Sequence, residues 1–248
     1  MTIEEHVMPS IDVESTDTAT ILTLGAAGGR CQLTAELVAE LTQAVAEAKH
    51  APRPALVIRG TDGTFCVSDP ATGSQGTSAQ GAGAWRRGAV HELLTAIRSL
   101  RVVTIAVVDG DATGAGLALA LSTDLRLATP AARLGCDADP NGTFGYGLPH
   151  LLMTLGGRGA ATRMLLGDTL DATQAARVGL VDRVIDPASL DTELERLLDA
   201  VPDADHVSAV ARVMRAAQQL PPDEAIRFGD LVAEHTGPGS SEHPAKGA

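Results

Sequence analysis

The stretch Val102-Val103-Thr104-Ile105-Ala106-Val107-Val108-Asp109-Gly110-Asp111-Ala112-Thr113-Gly114-Ala115-Gly116-Leu117-Ala118-Leu119-Ala120-Leu121 governs the reading of the fold. Val102 to Val108 is an apolar run too short for a helix, as expected of a strand buried on both faces. It runs into small residues and glycines, and the Ala/Leu-rich segment that follows reads as an apolar helix. A strand that ends this way presents backbone N–H groups to whatever lies in front. The first-turn donors have no partner inside the helix and carry the positive end of its dipole. Gly114 and Gly116 let another molecule's oxygen come close. No Gly-Lys-Ser/Thr follows, so this is not a Walker loop, and the spacing is wrong for a dinucleotide fingerprint. On these residues alone, a helix packed tightly on a sheet is an equal alternative.

Upstream, the strand, turn, helix order recurs over residues 55–100. Ala55-Leu56-Val57-Ile58-Arg59, bounded by Pro and Gly, reads as a second strand buried on both faces. Residues 68–84 hold no branched aliphatic side chain and are expected to form an exposed, mobile loop. Val90, Leu93, Leu94, Ile97 and Leu100 then mark a helix. Residues 10–24 alternate and are rich in Thr, Ile and Val, with a turn near Asp17, which suggests two paired strands. Leu37, Val38, Leu41, Ala44, Val45 and Ala48 recur at helical spacing behind Thr34 as cap, ending at Pro52 and Pro54. Downstream, Asp124 to Ala128 and Arg133-Leu134 read as strands before a glycine-rich stretch from Gly135 to Gly147. Beyond residue 148 the pattern is mainly helical, over 157–167, 171–178, 188–200, 205–218 and 222–233, with one strand at Leu180–Ile185. The fold class is α/β. The expected divisions are a core over 1–187, a helical region over 188–236 and a disordered tail over 237–248.

The chain has 248 residues, enough for a sizeable core. Its 19 basic and 31 acidic residues leave a net charge of −12, which disfavours a long grip on nucleic acid or an anionic membrane. With one Trp, one Tyr and three Phe, base-stacking platforms are also excluded. An anionic ligand must be held by a local device, a few Arg or backbone N–H groups. Cys31, Cys66 and Cys136 are widely spaced with no CxxC, so neither a disulfide framework nor a zinc site is expected. The N-terminus lacks a secretory pattern and no apolar run reaches membrane-spanning length, which points to the cytoplasm.

The stretch Ile105 to Gly116, continued by Leu119-Ala120-Leu121 and Asp124-Leu125-Arg126-Leu127-Ala128, resembles the signature of the enoyl-CoA hydratase/isomerase (crotonase) superfamily. Other pieces fall in the same order. Leu56-Val57-Ile58-Arg59-Gly60 and Thr64-Phe65-Cys66 resemble the strand leading into that family's first oxyanion loop. Leu165-Leu166-Gly167-Asp168 and Ala175-Ala176-Arg177-Val178-Gly179-Leu180-Val181-Asp182-Arg183-Val184 resemble its later helix and strand. The resemblance covers residues 10–190 and implies a crotonase-like ββα spiral with a helical C-terminal region, assembling as a homotrimer or hexamer. It implies an acyl-CoA or acyl-carrier-bound substrate, with coenzyme A entering as part of the substrate and no tightly bound cofactor. Two backbone N–H groups would stabilise an enolate-like oxygen. By position these are the amide of Ala115 and that of Asp69, or Ser68 if the loop shifts by one. Phe65, Cys66, Gly114 and Gly116 would line the substrate.

The chain departs from the family at the acid–base groups. Hydratases of this family use two Glu to hold a water and move its proton. Here those positions fall at Ala118 and near Ala138, and neither can transfer a proton. Asp139 and Asp137 are candidates for a displaced carboxylate, each of which could equally cap a turn. Asp111 lies where the family places a residue near the acyl pocket, or is a solvated turn carboxylate. His150 and Tyr146 flank the shortened glycine-rich loop and could donate protons or simply pack. Arg30, Arg86 and Arg87 are candidate phosphate contacts or solvated cations. Cys66 and Cys136 are expected to pack. The function expected is that of an enzyme stabilising a thioester enolate with non-standard acid/base residues in a specialised biosynthetic pathway. A non-catalytic partner subunit and a C–C bond hydrolase acting on a free diketone are the alternatives.

Overall fold

The computed structural model describes residues 10–25, 30–50, 53–61, 63–68, 79–137, 144–201 and 204–236. Two sheets share the chain's strands turn by turn. Strands β1 (Ser10–Ser15), β2 (Ala19–Gly25), β4 (Ala55–Gly60), β6 (Val103–Val108), β8 (Leu125–Ala128) and β11 (Arg183–Val184) form one sheet in the order β1-β2-β4-β6-β8-β11. The second sheet runs β10-β9-β7-β5-β3, built from β3 (Gln32–Leu33), β5 (Thr64–Ser68), β7 (Asp111–Thr113), β9 (Arg133–Gly135) and β10 (Thr169–Asp171). From β2 to β9, each turn of chain places one strand in the first sheet, the next in the second, and returns through a helix. Helix α1 (Ala35–His50) follows β3, α2 (Ala79–Ser99) follows β5, and α3 (Ala115–Leu121) follows β7. Helix α4 (Leu148–Leu165) comes after β9 and α5 (Ala172–Arg177) after β10. The β1/β2 and β9/β10 pairs are antiparallel, and the successive turns stack in parallel, for example Leu56 beside Thr104 and Ile58 beside Ala106. This is the ββα spiral.

The apolar runs are continuous because the first sheet is covered on both sides. Leu56, Ile58, Ala106 and Val108 face the main core shared with α1, α2 and α3. Their neighbours Ala55, Val57, Ile105 and Val107 face a second core, closed by Ile185 and by Leu190, Leu194 and Leu198 of α6 (Leu190–Asp199). A fully buried Leu, Ile or Val contributes about 1.5–3 kcal/mol, so alternation would leave one of these cores empty. The α1 stripe is buried at the six expected positions, and the Leu37 N–H donates to Thr34 Oγ1 at 3.3 Å, the anticipated cap. The C-terminal region continues through α7 (Ala204–Gln219) and α8 (Pro222–Thr236). No helix among the described residues is long and apolar enough to cross a membrane.

Three local expectations are corrected, and two short strands are added. The loop anticipated over 68–84 is shorter, because α2 begins at Ala79, while residues 69–78 lie outside the described residues. The alanines of 79–84 extend a helix already anchored by buried Val90, Leu93, Leu94 and Ile97, which outweighs the cost of the glycines. Strands β7 and β10 have three residues each, too short for a periodic signal. Helix α4 starts at Leu148, well before residue 157, and breaks at Gly157 (φ 73°, ψ 172°). The strand expected at Leu180–Ile185 contracts to Arg183–Val184, since Leu180 and Val181 are buried in the main core and the Asp182 carboxylate accepts the Arg126 N–H at 2.7 Å. The tail from Gly237 lies outside the described residues.

Arg126 fastens β8 to this segment. Its side chain is buried, with Nε donating to the Leu180 carbonyl at 2.9 Å and Nη1 to the Thr123 carbonyl at 2.8 Å, while Nη2 pairs with Asp182 at 3.0 Å. Burial pushes its pKa below the ordinary value, against the attraction of Asp182 and Asp124. Removing the guanidinium strands the Leu180, Thr123 and Asp124 carbonyls and the Asp182 carboxylate, so Arg126→Ala should cost about 1–3 kcal/mol of stability, read as a lower urea midpoint at unchanged slope.

Candidate active site

The site is built where β5 meets the start of α3. Gly114 has φ 52° and ψ −116°, and its N–H donates to the Gly135 carbonyl at 3.1 Å, tying β7 to β9. A Cβ on Gly116 would lie 1.9 Å from the Cys66 carbonyl oxygen, so only glycine lets the strand and the helix approach so closely. A Cβ on Gly114 would lie 2.0 Å from Asp137 Oδ2 and 2.2 Å from Ser68 Oγ. Those two oxygens therefore lie within about 4 Å of each other, over the same face of the turn. Ala115, only 3% exposed, points its N–H at Ser68 Oγ, which accepts it at 2.8 Å.

Three polar groups thus converge: the Ala115 N–H from α3, the Ser68 hydroxyl from the end of β5 and the Asp137 carboxylate just after β9. Ser68 and Asp137 are half-buried, which strengthens each polar contact relative to water. Beside them the Cys136 thiol is pushed up to about 11, first by burial and then by the negative charge of Asp137. It is a neutral thiol at physiological pH and not a nucleophile.

The other candidates are distributed as follows. Asp111 on β7 forms an ion pair with Arg30, so these two answer one another's charge. Phe65 and Cys66 are fully buried, and their side chains pack in the main core. What β5 contributes there is the Cys66 carbonyl against Gly116. The Cys66 thiol is raised well above its ordinary value by its hydrogen bond with Cys31 and by burial, whereas that hydrogen bond lowers Cys31. Tyr146 is half-buried with φ 56° and packs on the main core, and His150 is exposed on the first turn of α4. Arg86 and Arg87 fall on α2. Asp69, Ala138 and Asp139 lie outside the described residues. Ala118 is fully buried inside α3.

The sequence points to Ser68 for its backbone amide, whereas the structure brings its hydroxyl to the Ala115 N–H. The available signal was positional. Cys66 backs Gly116, and two residues further along the same strand face puts Ser68 beside the turn.

Comparison with known proteins agrees with this architecture. The profile of the Enoyl-CoA hydratase/isomerase family matches residues 29–238. The chain is 34% identical over 129 residues to a short-chain-enoyl-CoA hydratase of Clostridioides difficile, covering 51% of this chain and 81% of that protein. It is 33% identical over 174 residues to a probable enoyl-CoA hydratase of Mycobacterium tuberculosis, covering 67% of this chain and 66% of that one. Among solved structures, an enoyl-CoA hydratase/isomerase family protein from Silicibacter pomeroyi superimposes with a TM-score of 0.80 at 28% identity, covering 91% of this chain and 99% of that one. The matched residues include the glycine turn, the strand before it and the helical region after it, and this chain belongs to the enoyl-CoA hydratase/isomerase (crotonase) family.

Proposed function

We propose that this protein binds an acyl thioester of coenzyme A with its carbonyl oxygen at the Ala115 N–H, and that Asp137 moves a single proton at the carbon beside that carbonyl. The observation that supports this most is the convergence of the Asp137 carboxylate and the Ala115 N–H on one face of the Gly114 turn. The relatives named above are enoyl-CoA hydratases, which supports the substrate class. When Asp137 takes the proton it becomes neutral while negative charge appears on the thioester oxygen. The charge is transferred within the site and never doubled, and a fixed backbone donor meets it without reorganisation. Water addition across a double bond is served by two carboxylates that hold the water between them. With Ala118 in the buried helix and, among the described residues, Asp137 as the carboxylate against the turn, the chemistry favoured is isomerisation or enolate protonation, consistent with a specialised biosynthetic role in the cytoplasm.

Assembly belongs to the same reading. Val210 and Met214 on α7 and Ile226 and Leu231 on α8 are exposed large apolar side chains, 45–64% accessible, that a homotrimer or hexamer would cover.

Calorimetry with acetoacetyl-CoA and crotonyl-CoA should show micromolar binding, and Ala115→Pro, which deletes the N–H, should abolish it. If neither ligand binds, the coenzyme A reading fails, and a carrier-bound acyl group, a free diketone or a partner enzyme takes its place. Asp137→Asn should slow deuterium exchange at the α-carbon of a bound acyl-CoA by about 10²–10⁴-fold, followed by NMR, and leave its affinity within about threefold. The same substitution removes a negative neighbour from Cys136, so its pKa falls and its iodoacetamide labelling at pH 8 should quicken several-fold. Light scattering should give three or six times the 25.4 kDa chain mass.

A further inference from the structure

We propose that the Ser68 side-chain hydroxyl is a donor of the oxyanion site beside the Ala115 N–H, kept in the free protein on the amide whose place at the substrate oxygen it later shares. This rests on the acyl thioester reading above and assigns a group that reading leaves unused. The Ser68 oxygen accepts the Ala115 N–H at 2.8 Å, so in the free protein the amide is satisfied by a side chain and not by water. A hydroxyl has one proton to give besides its two lone pairs, so accepting from Ala115 leaves its own donor free to turn. An incoming oxygen that takes the Ala115 N–H displaces the Ser68 lone pair and meets the Ser68 proton on the same side. Because the Ala115 N–H is directed at Ser68 Oγ, the incoming oxygen takes the place of Oγ on that N–H, and a rotation of Ser68 about χ1 sets its hydroxyl beside the oxygen as a further donor.

The arrangement discriminates by charge. A neutral thioester carbonyl gains little, because it exchanges one neutral hydrogen bond to Ala115 for another. An enolate oxygen gains two charge-assisted bonds, each roughly twice as strong as a neutral one. Asp137, within about 4 Å of the hydroxyl, opposes that orientation while it is ionised and ceases to once it has taken the substrate proton. The hydroxyl is thus drawn to the oxygen in step with proton transfer, which is the condition for selective stabilisation of the transition state. The substrate class this fits is an acyl thioester that passes through, or already carries, an enolate, such as a β-ketoacyl thioester.

The test compares the wild type with Ser68→Ala and Ser68→Thr, using acetoacetyl-CoA as an ionisable ligand and butyryl-CoA as a neutral one. Enolate absorbance of bound acetoacetyl-CoA is followed against pH, and affinity for each ligand is measured by calorimetry. Ser68→Ala should raise the enolisation midpoint of bound acetoacetyl-CoA by about one pH unit, a tenfold loss of enolate preference, with butyryl-CoA affinity changed less than about threefold. Ser68→Thr, which keeps the hydroxyl, should restore most of the shift. An unchanged midpoint in Ser68→Ala overturns the proposal. Equal tightening of both ligands does so too, since it would make the hydroxyl only an occupant of the amide. If the wild type binds neither ligand, the acyl thioester reading itself falls and takes this inference with it. Matching thermal unfolding of the variants excludes loss of fold as the cause.

Discussion

The close approach of the Cys66 carbonyl to Gly116 is the contact on which the rest of the site depends. It holds β5 against the start of α3, and this carries Ser68 to the Ala115 N–H. Neither strand nor helix could be moved by the width of a methyl group without separating those two. The glycine at 116 therefore matters for what it omits. Behind it, the fully buried Phe65 and the apolar helix α3 give the contact a rigid backing, so the donor is preorganised by packing and not by a flexible loop.

Charge around the turn is arranged with the same economy. Ala118 is sealed inside the core, and a charge at that position would face the full cost of desolvation. Asp137 instead comes from the far end of the neighbouring strand β9 and lies half-buried. Arg30 and Asp111 pair with one another, and Asp137 places a carboxylate against Gly114. The raised thiol of Cys136 is a by-product of that placement.

Much of the fold was legible because it depends on periodicity and on runs. The α1 stripe, the buried β4 and β6 and the glycine turn all announce themselves through spacing, and both faces of β4 and β6 are indeed covered. Strands of two or three residues have no period to detect, and β7 and β10 exist only because longer neighbours on the spiral present edges to them. Of the candidate site, the close-packed turn at Gly114, Ala115 and Gly116 was legible, because it depends on the backbone. The site was less legible at Asp137, Asp111 and Arg30, because whether a carboxylate faces a turn, a cation or water is decided by segments far apart in sequence. Arg30 and Asp111 meet across 81 residues, and nothing local to either one foretells it. Ser68 was half-read for a related reason: position along the strand gave its place, but only tertiary packing fixed which of its atoms meets the amide.

The two-faced sheet also sets a condition on how the chain is made. Val57, Ile105 and Val107 turn away from the main core toward a surface that Ile185 and the α6 leucines cover. During synthesis from the N-terminus, the spiral can close its inner core while that outer apolar face still awaits residues 185–198. A nascent chain halted before α6 would present a sticky, partly built sheet, the kind of surface that chaperones hold and aggregates recruit. A short, highly charged helix late in the sequence, bearing little of the chemistry, thus has the task of finishing the protein's solubility.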